Sequence, residues 1–277
     1  MPKLSIITVN LNNREGLRKT AESVVSQTYK DYEWIVIDGG STDGSKELIK
    51  QYAEYISYWV SEPDKGIYNA MNKGIKKATG EYLQFLNSGD WLFDNSILMD
   101  VFKDKHDADI LYGTTIVVTE DGEEFSYGPQ KKHFSPFSLV SYTISHPSSY
   151  IKKTLFDTSG YYDEIFHIAA DTKFFFNAII NNGASIEPLQ KVITFFSYGG
   201  ISTTNVEQCE KEKGMIIQEY FPLFYEDYLQ YELGQHSLQS QKENEHGLQV
   251  YTILCSNWLT KKIVHFLYRI STFGWAR

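Results

Sequence analysis

The sequence predicts an α/β fold built on a mostly parallel, Rossmann-like sheet with helices on both faces, and three observations point to it. Apolar, β-rich runs alternate with stretches of helical period through the first hundred residues, an order that calls for parallel strands joined by crossover helices. The run Glu33-Trp34-Ile35-Val36-Ile37 passes straight into Asp38-Gly39-Gly40-Ser41-Thr42-Asp43-Gly44. Likewise Tyr82-Leu83-Gln84-Phe85-Leu86 passes into Asn87-Ser88-Gly89-Asp90. Ligands of open α/β sheets bind in the crevice beyond the carboxyl ends of the strands, so acids at those places face a ligand rather than the core. A nucleotide and a metal ion are the ligands such acids suit.

Leu4 to Val9 is the first strand, closed by Asn10-Leu11-Asn12-Asn13. Leu17, Ala21, Val24 and Val25 then recur at helical spacing, which predicts an amphipathic helix. Trp34 to Ile37 is the second strand, and Ser41-Thr42-Asp43 offers N-caps for a helix carrying Leu48, Ile49 and Tyr52. Ile56 to Val60 is a short third strand. Ile67, Ala70, Met71, Gly74, Ile75 and Ala78 trace one face of a third helix that Gly80 ends, ahead of a fourth strand from Tyr82 to Leu86. Further on, Ile110 to Val118, the Asp121-Gly122 turn and Glu123 to Tyr127 read as a strand and hairpin. Residues 171–180 read as a helix, and Gln190 to Ser197 as a strand running into Gly199-Gly200. Residues 207–248, acidic and polar with scattered aromatics, read as helical and peripheral. The chain carries no internal repeat and no long low-complexity linker.

At 277 residues the chain is long enough for one large domain, or for a domain with an appendage. Its 15% aromatic content, with 20 Tyr and 17 Phe, suits stacking on flat or ring-shaped ligands and equally suits an aromatic-rich core. A net charge of -9 disfavours a general nucleic-acid binder, which needs basic patches to neutralise phosphates. Cys209 and Cys255 are isolated and lack metal-type spacing, so neither a disulfide scaffold nor a zinc site is expected, and a reducing cytoplasm suits them. The opening strand is interrupted by polar residues too soon for a secretory apolar region, and no run of ~18 apolar residues predicts a membrane span. From Gln249 to Arg277 acids are absent, Lys261, Lys262, Arg269 and Arg277 are basic, and Leu259, Ile263, Phe266, Ile270 and Phe273 recur at spacings of four and three. That pattern fits a basic amphipathic helix lying on an anionic membrane surface through residues 257–277, or a C-terminal helix docked on the protein's own core.

The first strand ends without the glycines a dinucleotide-binding turn needs, which disfavours a nicotinamide enzyme. Thr8 and Asn10 offer instead side-chain hydrogen bonds suited to the edge of a base or to a ribose. Asp38 can accept from a base N–H or a ribose hydroxyl; its plainer role is capping the next helix, for which Ser41 and Asp43 stand better placed. Asp90 is the candidate metal contact, since Mg²⁺ or Mn²⁺ prefers oxygen ligands and commonly bridges a carboxylate to a diphosphate. A turn aspartate in Ser88-Gly89-Asp90 is the plainer reading. Asp64, ahead of the third helix, is a cap or a ligand contact, and that helix N-terminus itself favours anions. Asp171 opens an otherwise apolar helix, where it either caps or, as a lone carboxylate near an acceptor hydroxyl, serves as a general base. His146, before Pro147, is a loop element that is either structural or in contact with the acceptor.

Taken together, Ser5-Ile6-Ile7-Thr8-Val9-Asn10, Ser26-Gln27-Thr28-Tyr29, Ile37-Asp38-Gly39-Gly40-Ser41-Thr42-Asp43-Gly44, Glu62-Pro63-Asp64-Lys65-Gly66-Ile67-Tyr68 and Leu86-Asn87-Ser88-Gly89-Asp90 resemble the family 2 glycosyltransferases with the GT-A fold. The resemblance is close over residues 4–100 and extends through His146, Asp171 and Gly199-Gly200-Ile201-Ser202. Among that family the chain is most similar to bacterial members that build exopolysaccharide, O-antigen or capsule units. The resemblance implies a glycosyltransferase of hexosyltransferase type that moves a sugar, with inversion, from a nucleotide-activated donor, most often a UDP-sugar, to a hydroxyl. It places Thr8, Asn10 and Asp38 at the nucleoside, Asp64 and Asn87 beside the donor, Asp90 at a Mn²⁺ or Mg²⁺ ion, and Asp171 as the catalytic base. Where such enzymes usually carry Asp-x-Asp-Asp, this chain has Asn87-Ser88-Gly89-Asp90, which leaves one carboxylate. The Gln-x-x-Arg-Trp signature of processive synthases is missing, so addition of a single sugar is expected.

The expected organisation is a GT-A domain over residues 1–205, with a nucleotide-binding half (1–100) and an acceptor half (101–205), followed by a helical extension (206–277). A glycan or lipid-linked glycan is the expected acceptor, and the cytoplasm or the inner face of the cell membrane the expected setting. Two alternatives stand beside this reading. A sugar nucleotidyltransferase would need a glycine-rich, Arg/Lys-bearing loop after the first strand, which Asn10 to Gly16 does not supply. A catalytically silent binding or assembly subunit is favoured by the reduced acidic motif and opposed by the presence of both Asp90 and Asp171.

Overall fold

The computed structural model describes residues 1–119, 121–122, 124–128, 139 and 143–230. They group into two compact units, Met1–Glu212 and one that begins at Lys213. In the first unit, Leu4–Asn10 (β1), Tyr32–Asp38 (β2), Tyr58–Ser61 (β3) and Tyr82–Phe85 (β4) alternate with the helices Arg14–Val25 (α1), Ser45–Gln51 (α2) and Ile67–Lys77 (α3). These four strands are parallel neighbours in the order β3-β2-β1-β4, as the alternating pattern requires. The in-register pairing of β1 with β2 ends on Asn10 opposite Asp38, which sets these two polar candidates side by side at one rim of the sheet.

Beyond β4 the chain forms Trp91–Leu92 (β5), Ile97–Phe102 (α4), Ile110–Val118 (β6), Glu124–Tyr127 (β7), a 3-10 turn at His146–Ser148, Ser149–Lys152 (β8), Thr154–Ser159 (α5) and Ala170–Phe176 (α6). α6 runs on as a π-helical turn over Asn177–Asn181 and is followed by Ile186–Ser197 (β9), Ile201–Thr204 (α7) and Val206–Tyr220 (α8). Among the described residues one sheet runs β3-β2-β1-β4-β8-β6-β9-β5, with β7 paired to β6. Parallel pairing returns at β6 and β9, whereas β8 is antiparallel to both β4 and β6. The sheet is therefore parallel where helices alternate with strands and mixed where a hairpin and short connections replace them. The Asp121-Gly122 turn forms as expected, with β6 and β7 antiparallel around it.

All seven residues of β1 are buried. Leu4 and Ile6 pack with Leu17, Ala21 and Val24 of α1 and with Trp34 of β2, so the helical spacing read in the sequence is the face that meets the sheet. Several boundaries differ from expectation. Gly44, rather than Ser41 or Thr42, takes the cap position of α2. Asp43 works from one place further back: its Oδ1 accepts the Ser45 N–H at 3.0 Å and its Oδ2 accepts the Arg14 N–H at 2.8 Å, joining the starts of α1 and α2. β9 begins four residues earlier than the apolar run that announced it, because Ile186, Glu187 and Pro188 pair with Ile110, Leu111 and Tyr112. Residues 207–248 are not simply peripheral, since Glu212 in α8 is 3% exposed. Among the described residues no helix is long and apolar enough to cross a membrane. Residues 231–277, including the basic stretch 257–277, lie outside the described residues.

Candidate active site

At the end of β2, Asp38 is completely buried. Its Oδ1 accepts from Asn10 Nδ2 at 2.7 Å and from the Ser41 hydroxyl at 2.5 Å. Its Oδ2 accepts from the Ser61 hydroxyl at 2.6 Å and from the Ser41 N–H at 3.0 Å. Burial pushes the carboxyl up, but the bonds from Ser41, Ser61 and Asn10 outweigh it and hold Asp38 below the ordinary carboxylate value. The carboxylate expected to accept from a base is thus filled from within the protein, and the unpartnered acceptor at this rim is Asn10 Oδ1. Thr8 also departs from expectation. It is completely buried and its hydroxyl accepts the Trp34 indole N–H at 3.0 Å, so its side chain serves the core, because strand alternation puts it on the face opposite Val9, which it shares with Ile6 and, across the register, Trp34. Asp64 reaches the same rim: its Oδ1 accepts the Gly66 N–H at 2.9 Å. A Cβ placed on Gly39 would lie 2.5 Å from Asp64 Oδ2, so only glycine lets this carboxylate lie over the end of β2.

Past the end of β4, the Asn87–Asp90 loop is tied to α1 by Thr20, whose hydroxyl donates to the Asp90 carbonyl at 2.7 Å and accepts the Gly89 N–H at 3.1 Å. Gly89 has φ +104°, a left-handed conformation that a side chain would strain. This turn folds Asp90 inward to 4% exposure with Oδ2 unpartnered. Burial pushes the Asp90 carboxyl up to about 7, offset only in part by the charge of His146 and by the backbone of Asn87. The buried side-chain amide and carboxylate oxygens without a hydrogen-bond partner, among the described residues, are Asn10 Oδ1, Gln84 Oε1, Asn87 Oδ1 and Asp90 Oδ2. Three of the four sit at or just past the carboxyl ends of β1 and β4. An unsatisfied buried acceptor is costly, so these three oxygens are the candidates at the rim to meet a donor or a cation.

His146 joins this loop to the head of α6. Its Nε2 lies 3.1 Å from Asn87 Nδ2 and its Nδ1 lies 3.1 Å from Asp171 Oδ2. With the amide so oriented, Asn87 donates to Nε2 and the Nδ1–H is directed at Asp171. Burial pushes the imidazole down, but the hydrogen bond and charge of Asp171, helped by Asp90, raise it above its ordinary value. Asp171 Oδ1 accepts from the Thr172 N–H at 2.8 Å and lies 3.2 Å from the Tyr68 hydroxyl, which also bonds the Ile168 carbonyl. Burial, with Asp171 beside it, drives the Tyr68 hydroxyl far above the ordinary tyrosine value, so it stays a neutral donor.

Of the sequence candidates, Asn87, Asp90, His146 and Asp171 converge on one side of the rim, Asn10, Asp38 and Asp64 on the other, and Thr8 on neither. Thr20, Ser61 and Glu212 had no local signal, and Tyr68, though inside a motif, had none for its role, since each acts through partners 23 to 103 residues away. No group of three or more His, Cys, Asp or Glu side chains able to hold a metal exists among the described residues. The donor set nevertheless fits a hard divalent ion bound largely by its substrate, since Asp90 Oδ2 and Asn87 Oδ1 are unpartnered oxygens in one loop.

Comparison with known proteins identifies the family and the fold. The sequence profile described as glycosyl transferase family 2 matches residues 5–174. The Mycobacterium tuberculosis protein named uncharacterized glycosyltransferase Rv1514c is 33% identical over 183 residues, covering 65% of this chain and 70% of its own length. A Mycobacterium bovis protein named PGL/p-HBAD biosynthesis glycosyltransferase is 29% identical over 218 residues, covering 75% of this chain and 82% of its own. Among solved structures, S. aureus TarS 1-349 in complex with UDP-GlcNAc superposes with a TM-score of 0.62 at 20% identity, over 90% of this chain and 76% of that one. The longer S. aureus TarS structure is matched over 43% of its length. Mannosyltransferase PcManGT from Pyrobaculum calidifontis, in complex with GDP-Man and Mn2+, superposes with a TM-score of 0.60 at 15% identity, over 98% of this chain and 83% of that one. The class is therefore that of glycosyltransferases with the GT-A fold. Within it, the chain belongs to glycosyl transferase family 2.

Proposed function

We propose that the protein transfers a single sugar from a UDP-sugar to a hydroxyl of a lipid-linked glycan, inverting the anomeric centre, in the assembly of a cell-surface glycan. The observation that carries the reading is the Asp171–His146–Asn87 relay, with contacts of 3.1 Å at each end of the imidazole. It links one carboxylate at the head of α6 to the unpartnered acceptors at the sheet rim. Asp171 takes the proton of the acceptor hydroxyl as that oxygen attacks the anomeric carbon from the face opposite the diphosphate. Tyr68 and His146 each bond one Asp171 oxygen, and so keep the carboxylate aimed while it changes charge. Asn10, Asp38 and Asp64 form the nucleoside end, with Asp38 acting by fixing Asn10 and Ser41. Asp90, with Asn87 beside it, would hold a Mn²⁺ or Mg²⁺ ion, whose charge stabilises the departing diphosphate.

The UDP-GlcNAc bound by TarS 1-349 supports a UDP-sugar, and the Mn2+ of PcManGT supports a metal. The PGL/p-HBAD relatives support a lipid-linked acceptor. In this reading residues 1–100 are the donor half, 101–205 the acceptor half, and 206–277 an extension whose basic stretch, 257–277, meets the inner face of the cell membrane. The test is donor binding and turnover across UDP-, GDP- and dTDP-sugars, with Mn²⁺ or EDTA, for the native chain, Asp90→Ala and Asp171→Asn. Asp171→Asn is expected to keep donor affinity and lose about 10²- to 10⁴-fold in turnover. Binding of no nucleotide sugar under any condition would reject the assignment in favour of a silent subunit. Co-sedimentation with anionic liposomes, lost on changing Lys261, Lys262 and Arg269 to Glu, tests the membrane contact.

A further inference from the structure

The residues at the entry to α6, Ile168, Ala169 and Ala170, are apolar, and the N-cap Ala169 has no side chain that can cap the helix. Three consecutive N–H groups there point the same way, and one carboxylate from α8 takes all of them. Glu212 Oε1 accepts from His167 N at 2.9 Å, and its Oε2 accepts from Ile168 N at 2.8 Å and Ala169 N at 2.9 Å. Gln208, one turn earlier on α8, completes the shell with a bond from Nε2 to Glu212 Oε1 at 2.8 Å. The carboxylate is 3% exposed, and a buried charge this well bonded cannot be removed without leaving three backbone donors unpaired.

The segment so held is the one that aims Asp171. Ile168 is gripped on both sides: its N–H by Glu212, its carbonyl by the Tyr68 hydroxyl that also lies 3.2 Å from Asp171 Oδ1. Two residues on, Ala170 starts the helix whose second residue is Asp171. Glu212 also lies outside the segment, residues 5–174, that matches the family profile. We propose that Glu212 is a positioning residue for sugar transfer, which sets the 167–169 loop and thereby fixes the Tyr68–Asp171–His146 geometry without touching substrate. The proposal rests on Asp171 being the base.

Its test uses the full-length chain as native protein, Glu212→Gln, Glu212→Asp and the exposed control Glu207→Gln. Three quantities are measured on each: turnover and KM for the donor, donor Kd, and the NMR resonance of the His146 Nδ1–H that is directed at Asp171. Gln keeps the shape but turns an amide NH₂ toward backbone N–H groups. Glu212→Gln is therefore expected to lower kcat on the order of 10²-fold with donor Kd unchanged, the effect of a misplaced reacting group. It is also expected to move or broaden the His146 resonance, while Glu207→Gln matches the native protein. Glu212→Asp keeps the charge on a shorter arm and is expected to fall between them; it carries the same test should the Gln variant fail to fold. Native kcat and an unmoved His146 resonance in either variant, even with a lowered melting temperature, would overturn the proposal and leave Glu212 a purely structural residue. A resonance that moves in a protein whose native form transfers no sugar would sustain the positioning and reject the transferase reading instead.

Discussion

Asp38 and Asp90 both follow a parallel strand, both are buried, and they end in opposite states. At the end of β2, four donors from Asn10, Ser41 and Ser61 saturate Asp38 and hold it below the ordinary carboxylate value. Past β4, Asp90 keeps one oxygen without any partner and burial carries it up to about 7. The lesson is that position at a strand end brings an acid to the rim, whereas the partners it meets there decide whether it shapes the site or stays open to a ligand.

The contrast breaks first at activity. If Asp90 holds the ion as proposed, Asp90→Asn is expected to reduce sugar transfer on the order of 10²-fold in the presence of Mn²⁺, measured as kcat/KM, because the carboxylate that would hold the cation offsetting the leaving-group charge is gone. Equal rates for the variant and the native protein would remove Asp90 from the chemistry. Stability should move the other way. A carboxyl whose folded value is raised stabilises fully below its unfolded value near 4 and loses that contribution as pH rises through about 7. Without metal at pH 8, Asp90→Asn should therefore be the more stable protein by up to ~4 kcal/mol, and denaturant midpoints should show the gap closing toward pH 4.

Asp38 carries the opposite sign. Its folded value is depressed, so its contribution is present above the unfolded value and lost as pH falls through the folded one. Asp38→Asn should destabilise by ~1–3 kcal/mol at pH 7, because one acceptor becomes a donor that faces other donors. That difference should shrink below pH 4. A native-like midpoint at pH 7 would mean the four bonds hold nothing. Ser61→Ala, which removes one of them, is the smallest case: a loss of about 1 kcal/mol in urea unfolding with the donor KM unchanged.

The parallel half of the fold was legible because it is written locally. β1, α1, β2 and α3 lie within a few residues of where apolar period placed them, and period survives any tertiary context that buries one face. The mixed half was less so. β9 starts at Ile186, ahead of the apolar run, because Glu187 and Pro188 are drafted by pairing with β6. In the site, Asp90 and Asp171 could be singled out as acids at an element boundary, whereas Thr8 could not be told from a ligand contact. Its hydroxyl is taken by Trp34, 26 residues away, and nothing near Thr8 in the sequence records that. The role of Tyr68 and the part played by Glu212 were invisible for the same reason, since their bonds to the 167–171 segment cross 43 to 103 residues.

The sequence by itself determined the strand and helix order from β1 to β4, the family, and which acids stand at the ends of strands, because these follow from local period and from motifs contiguous along the chain. The tertiary structure decided which of those acids is satisfied and which is left open, and that His146 bridges Asn87 to Asp171. Hydrogen-bond satisfaction and desolvation belong to groups brought together from distant parts of the chain, and only the folded chain sets which donors a buried carboxylate meets.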